Sequence, residues 1–272
     1  MCKPSIHARR LALAAVVLLS ATALSGCARD RMTTGSTGPA AAQTDLQALP
    51  AEKRAASINA LGAAYERNPS DKGSGIAFAS ALRGDGRNDQ ALAVMKRLVI
   101  DHPKDRDVLS AYGKALASSG QFEQALDAVR RAQTPENPDW RLLSAEGAIL
   151  DQLGNAELAR EQYRKALDIV PNEPTVISNL GMSYLLTGDL RTAETYLRSA
   201  LENPRAENTT RQNLALAVGL QGRFDEAEQI AAQALTPQEA QANIAYLRSI
   251  MEQQNTWSQL EKEDGKRKKP NA

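Results

Sequence analysis

The sequence predicts an all-α fold, a solenoid of helix–turn–helix repeats. Two observations come from stepping along the chain. Moving 34 residues either way from Gly188 lands on Gly86, Gly120, Gly154 and Gly222, and the same step from Ala193 lands on Ala91, Ala125, Ala159 and Ala227. A third is that the columns around them stay apolar or small. Gly181 aligns with Ala79, Gly113, Gly147 and Ala215, and Tyr184 with Leu82, Leu116, Leu150 and Val218. The column of Ala200 holds Leu98, Ala132, Ala166 and Ala234. A period of this length is one supersecondary unit that buries its apolar face only by packing on similar units.

The stretch from Pro174 to Asn203 shows the unit best. Ile177, Leu180, Gly181 and Tyr184 form an i, i+3, i+4, i+7 face, and Ala193, Leu197 and Ala200 a second stripe after the turn at Gly188. Small residues at Gly181 and Ala193 let two backbones approach, and Gly188 ends the first helix in a left-handed conformation. Pro103 and Pro171 stop the second helix. The pattern resembles the tetratricopeptide-repeat family, whose consensus Ile177, Leu180, Gly181, Tyr184, Ala193, Leu197 and Ala200 match in place. The resemblance covers residues 72–239 and implies a right-handed superhelical solenoid of about five repeats with flanking cap helices. Pro204 is one position early for its column, and the fifth copy ends at Pro237.

Residues 1–26 read as a signal peptide. Lys3, Arg9 and Arg10 precede an apolar run, Leu11 to Leu24, of 14 residues, too short to span a bilayer and right for a secretory segment. The run ends in Leu24-Ser25-Gly26-Cys27, which resembles the bacterial lipoprotein signal. That resemblance implies cleavage before Cys27 and acylation of Cys27, so that the chain is held on a membrane by acyl chains. The competing reading is an ordinary signal peptide with a coincidental cysteine. Ala28 after the cysteine, where the family uses Asp for inner-membrane retention, points to the outer membrane, periplasmic face. Residues 27–50, rich in Ala, Gly, Thr and Ser, read as a flexible tether with a span of roughly 25 Å.

Residues 51–71 are expected to form a helix between Pro50 and Asn68-Pro69, a cap or degenerate half repeat over the first full copy. Five copies follow, at about 72–105, 106–139, 140–173, 174–207 and 208–239. Lys72-Gly73-Ser74-Gly75 is a weak helix start, so fraying is expected there. Glu146 stands where the other copies are apolar and is expected to face solvent or reach an Arg on the next copy. A cap helix with Ile244, Leu247 and Met251 on one face is expected at 240–254, followed by a charged disordered tail at 255–272 ending Lys266-Arg267-Lys268-Lys269-Pro270. The tail reads either as a contact for anionic lipid or glycan or, preferred, as a solvated end.

The residues point away from catalysis. With the signal removed the net charge falls from +1 to −2, because Lys3, Arg9 and Arg10 leave and no acidic residue does. This balance and the low aromatic content give no case for nucleic acid. Cys2 leaves with the signal and Cys27 carries lipid, so no disulfide or thiolate metal site is expected. His102 is the one histidine after the signal, in a turn before Pro103, without the partners a zinc site or a triad needs. No cofactor, no metal and no enzymatic activity are expected.

A helical solenoid offers instead a concave surface lined by the first helix of each copy. In the tetratricopeptide family that groove is lined by set consensus positions. Here those are Asp107, Ser110 and Lys114 in copy two, and Arg141, Ser144 and Asp151 in copy three. Copies four and five place Ser178, Asn179, Met182, Leu185, Leu186, Gln212, Asn213, Leu216 and Leu220 there. The expected groove is polar in the middle and apolar toward the C-terminal copies, and exposed Leu and Met together suggest a binding surface for protein partners. Asn179 and Asn213 are placed either to hold the backbone of an extended ligand or to bond within the solenoid. The order of lipoprotein signal, tether and five copies resembles the lipoproteins of tight-adherence (Flp) pilus assembly systems. That resemblance implies a part in assembling an envelope-spanning pilus secretion machine, with the outer-membrane secretin or other assembly components as partners. The alternative within the class is an adaptor for outer-membrane protein insertion or cell-wall hydrolases, and the remote alternative is a periplasmic enzyme or solute-binding protein.

Overall fold

The computed structural model describes residues 49–136 and 138–267, with 254–267 as backbone only. The expected signal peptide, Cys27, the tether up to residue 48 and the last residues of the tail lie outside the described residues. Among the described residues there are twelve helices and no strand. They are α1 (Ala51–Arg67), α2 (Lys72–Gly84), α3 (Asn88–Asp101), α4 (Arg106–Ser118), α5 (Phe122–Ala132), α6 (Trp140–Gln152), α7 (Ala156–Ile169), α8 (Pro174–Leu186), α9 (Leu190–Leu201), α10 (Asn208–Gly219), α11 (Phe224–Ala231) and α12 (Pro237–Arg267). The helices from α2 to α11 form five hairpins, one per copy. The chain divides into two compact units, the first ending at Ile169 and the second beginning at Val170. None of the described helices is long and apolar enough to cross a membrane.

Each hairpin is closed by the columns that define the repeat. Gly188 has φ +83°, and Gly86, Gly120, Gly154 and Gly222 share this left-handed conformation, which an L side chain adopts only under strain. Ala91, Ala125, Ala159, Ala193 and Ala227 are all completely buried. The facing small column is there because the partner helix touches it. A Cβ on Gly113 would stand 2.7 Å from Val129 Cγ2, and one on Gly147 2.6 Å from the Tyr163 ring. On Gly181 it would meet Leu197 Cγ at 2.9 Å and the Ala193 carbonyl oxygen at 3.2 Å. These contacts are closer than carbon atoms ordinarily approach, so a larger residue at these three glycines forces the facing side chain to shift.

In the first unit the helix starts carry a sixth column at the same step, Asp71, Asp105 and Asp139. The Asp71 carboxylate accepts from Ser74 N at 2.7 Å, Asp105 from Asp107 N and Val108 N at 3.0 and 3.1 Å, and Asp139 from Arg141 N at 2.8 Å. Each satisfies amides that a helix N-terminus leaves without an intrahelical acceptor. This corrects the expected fraying at the start of copy one. Asp71 caps α2, Lys72 Nζ reaches Asp105 and Asp107 at 2.8 and 3.3 Å, and Gly75 lies under Leu98, whose Cδ2 would be 3.0 Å from an added Cβ. The glycine that looked like a breaker is a close-contact point. α1 packs on this copy through buried Ile58 and Gly62, with the Phe78 ring over Gly62 and Tyr65 tilted against it at 5.8 Å.

Glu146 neither faces solvent nor reaches forward. It is 7% exposed and accepts from Arg130 Nε at 2.8 Å, an arginine of the preceding copy on α5. A carboxylate so buried needs a charged donor, and the helix already packed beside α6 supplies it.

In the second unit Leu180, Leu197 and Val218 fill the hairpins, while Tyr184 and Tyr196 stack at 5.4 Å. α11 is short and ends at Ala231, so Ala234 of the repeat column falls in the turn that follows. Thr236 and Glu239 then start α12 as a capping box: Thr236 N donates to Glu239 Oε2 at 2.9 Å and Glu239 N to Thr236 Oγ1 at 3.3 Å. Ala240, Ile244 and Leu247 of α12 are buried, and Leu247 Cδ2 would stand 2.6 Å from a Cβ on Gly219. The helix runs on to Arg267, beyond the expected end at residue 254, so residues 255–267 are helical and not the disordered tail expected for them.

Candidate functional site

The expected groove residues of copies four and five lie on the first helices of those copies, α8 and α10, and on the residue closing α10. Met182 and Leu186 are one helical turn apart on α8, and Leu216 and Leu220 occupy the same positions one repeat later. All four are half-buried, as are Asn179, Gln212 and Asn213. This row has an apolar stripe with neutral amides beside it.

Leu185 is a correction. It is only 4% exposed and presents nothing to a ligand. The equivalent residue of copy five shows why: Gly219 lies against Leu247 of the following helix, so this position looks toward the next helix in the stack. Ser178 is likewise buried, at 6%. The most exposed large apolar residues lie elsewhere, at Ile100, Leu158, Ile169 and Tyr246. Of the polar positions expected in copies two and three, Asp107 pairs with Lys72, Asp151 accepts from Tyr163 Oη at 3.0 Å, and Ser144 is buried.

Copies four and five are tied by a charge network centred on Glu194 of α9. Arg198 donates to it at 2.9 Å, Gln221 Nε2 at 2.9 Å, and Arg223 also pairs with it. Arg198 and Arg223 then share Glu226, at 2.6 and 3.2 Å. Burial alone would raise the Glu194 carboxyl, but the Gln221 and Arg198 hydrogen bonds and the Arg223 charge hold it below the usual carboxylate range. The Asn203 side chain donates to the Asn172 carbonyl at 3.0 Å, a further tie across one repeat. The charge network ties α9, the second helix of copy four, to the α10–α11 turn and to α11 of copy five. Sequence reading missed this network. Its signal was available in the i, i+4 pair of Glu194 and Arg198 and in Gln221 and Arg223 flanking the turn glycine.

Nothing in this geometry resembles a catalytic or metal centre, and the described residues contain no group of three or more His, Cys, Asp or Glu placed to hold a metal ion. What the row can do is present apolar anchors beside amides able both to donate and to accept.

Tetratricopeptide-repeat models match residues 76–139, 141–173, 175–206 and 209–236. No curated protein matches the chain by sequence. Among solved structures, TTC0263, a thermophilic tetratricopeptide-repeat protein of Thermus thermophilus, is 22% identical with a TM-score of 0.59, over 65% of this chain and 98% of that one. A chain of the APC/C hetero-tetramer Cut9-Hcn1 is 19% identical with a TM-score of 0.58, over 74% of this chain and 40% of that one. Human IFIT1, solved as a dimer with PPP-AAAA, is 16% identical with a TM-score of 0.56, over 69% of this chain and 47% of that one. This chain thus spans less than half the length of the last two, and at these identities the likeness is one of fold.

Proposed function

We propose that this chain, which belongs to the tetratricopeptide-repeat family, is a non-enzymatic adaptor that binds protein partners on the first-helix face of copies four and five. One observation carries the reading: Met182, Leu186, Leu216 and Leu220 repeat at one-copy spacing on that face, only half covered, with Gln212 and Asn213 beside them. An extended or helical segment laid there covers the remaining apolar surface, and its backbone finds amide partners. Leu186→Asp with Leu220→Asp puts two carboxylates into the row. The double variant should fold, as read by circular dichroism, and fail to co-purify the partners that the wild type captures. Undiminished capture by a folded double variant places the binding site elsewhere.

The adaptor is held at the outer membrane, on its periplasmic face, by acyl chains on Cys27, and serves assembly of a tight-adherence (Flp) type pilus, supporting secretin localisation or multimerisation. The support is in the sequence: Leu24-Ser25-Gly26-Cys27 after a short apolar run, then tether, then repeats. Cys27→Ala should abolish labelling by a fatty-acid probe and release the protein from membranes. A wild type that enters the aqueous phase of a detergent extraction overturns the anchor. Cells lacking the protein should lose pili, and normal piliation removes the pilus assignment while leaving the adaptor reading intact.

A further inference from the structure

The closing helix α12 is more than twice as long as any hairpin helix, 31 residues, or about 46 Å. One side of it meets the fifth copy. Ala240 packs with Ala215 and Ala231, Ile244 is buried, and Leu247 lies against Gly219. Arg248 extends that side, over the Phe224 ring at 4.7 Å and 3.7 Å from Asp225. About a third of a turn round the helix runs a second row, Asn243, Tyr246, Ile250 and Gln253. Asn243 and Gln253 are exposed, Tyr246 is 56% exposed and Ile250 is half-buried. The row is spaced three, four, three, and the sequence continues it with Trp257 four positions on and Leu260 three after that. The backbone stays helical throughout. Alternating steps of three and four mark the a and d positions of successive heptads, the seam along which one helix packs on another. The flank of this seam is small. Ala242 and Ser249 are exposed there, and the Ser249 hydroxyl turns back to donate to the Tyr246 carbonyl at 2.8 Å.

The chemistry of the row selects its occupant. Asn243 and Gln253 carry amides that both donate and accept, so each can satisfy a copy of itself. In a parallel, in-register pair of identical helices every a residue meets its own copy, and so does every d residue. Amide then meets amide, and apolar positions meet apolar ones. An antiparallel pair using the whole row sets Asn243 against Leu260 and Ile250 against Gln253, which buries amides without partners. Burial in lipid acyl chains leaves the same two amides unsatisfied. We propose that α12 pairs in parallel with α12 of a second copy of this chain along residues 243–260. The pairing uses neither the apolar row on α8 and α10 nor the reading drawn from it.

The test uses the full chain in detergent, with its mass read by sedimentation equilibrium over a range of protein concentration. The wild type should be a dimer. Ile250→Asp should raise the dimer dissociation constant at least tenfold, the loss of one central seam contact. Ala245→Asp, an exposed position off the seam, should leave it unchanged, and circular dichroism checks that both variants fold. Cross-linking gives a second readout that does not depend on a disruptive variant. Gln253→Cys should form an intermolecular disulfide with its own copy under mild oxidation, and Ala245→Cys should not. A wild type that is monomeric at every concentration overturns the proposal and leaves the row to another protein's helix or to a lipid surface. Equal dissociation by Ala245→Asp overturns the seam. Preferential cross-linking of Gln253→Cys to Ile250→Cys in a mixture of the two overturns the parallel arrangement.

Discussion

Copies three and four use the same frame and fill it with opposite chemistry. Both have a glycine touching the partner helix, Gly147 on Tyr163 and Gly181 on Leu197, and both have a buried alanine, Ala159 and Ala193. Around those fixed points copy four is apolar, with Leu180 before the glycine and Leu197 opposite it. Copy three has Glu146 before its glycine, paired with Arg130, and Tyr163 opposite it, donating to Asp151. The difference shows what the repeat requires. Small residues at the contact set the hairpin, and the neighbouring positions accept charge wherever a nearby helix supplies the partner.

Four sets of substitutions sharpen or break that comparison, each read from urea unfolding followed by circular dichroism. The largest effect is expected from the side chains facing the glycines. Tyr163→Ala should cost about 3–5 kcal/mol and Leu197→Ala about 2–5 kcal/mol, because both are 2% exposed or less. A loss under about 1 kcal/mol at either would mean the hairpin is not held at its glycine. Next come the buried alanines. Ala193→Leu and Ala159→Leu should each cost about 1–3 kcal/mol by overpacking, equally in the polar and the apolar copy. An effect in one copy alone would show that the shared frame is not shared.

The third change separates the two chemistries. Arg130→Ala strands the Glu146 carboxylate and should cost about 1–3 kcal/mol. Glu146→Leu, which gives copy three the side chain of copy four, should be nearly neutral or stabilising. A Glu146→Leu loss as large as that of Arg130→Ala would mean that the ion pair stabilises copy three beyond what apolar packing offers.

The smallest effect is at the helix starts. Asp139→Ala should cost about 1 kcal/mol, because Asp139 caps α6. Glu173→Ala should cost less, since Glu173 makes no cap bond and only pairs with Arg205 at 3.6 Å. The caps of copies one and two add a pH dependence. Ser74 donors hold the Asp71 carboxyl below its ordinary value. At Asp105 burial pushes upward, but Lys72 and the α4 amides outweigh it. Both folded values lie below the unfolded ones, so the stabilisation is present at neutral pH and is lost as pH falls through the folded values. Asp71→Ala should flatten the acid limb of the unfolding-midpoint profile, and an unchanged limb would remove Asp71 from the cap.

Most of the fold was legible because its rules are local or nearly so. A left-handed glycine at Gly188 and a small residue at Ala193 are demanded within one hairpin, and repetition five times made the demand visible. The acidic column from Asp71 was equally periodic and could have been read the same way. The site was legible only in part. The family register placed Met182, Leu186, Leu216 and Leu220 on one face, but it placed Leu185 there as well, although that position points to the neighbouring helix.

The sequence by itself determined the period, the turn conformations and the close-contact column of Gly113, Gly147 and Gly181, since each depends on residue size or backbone preference at short range. Tertiary structure alone decided which residue meets Glu146 and how far Leu185 is covered. Both outcomes depend on how helices of neighbouring copies pack, and a one-dimensional pattern does not contain them until the copies are packed.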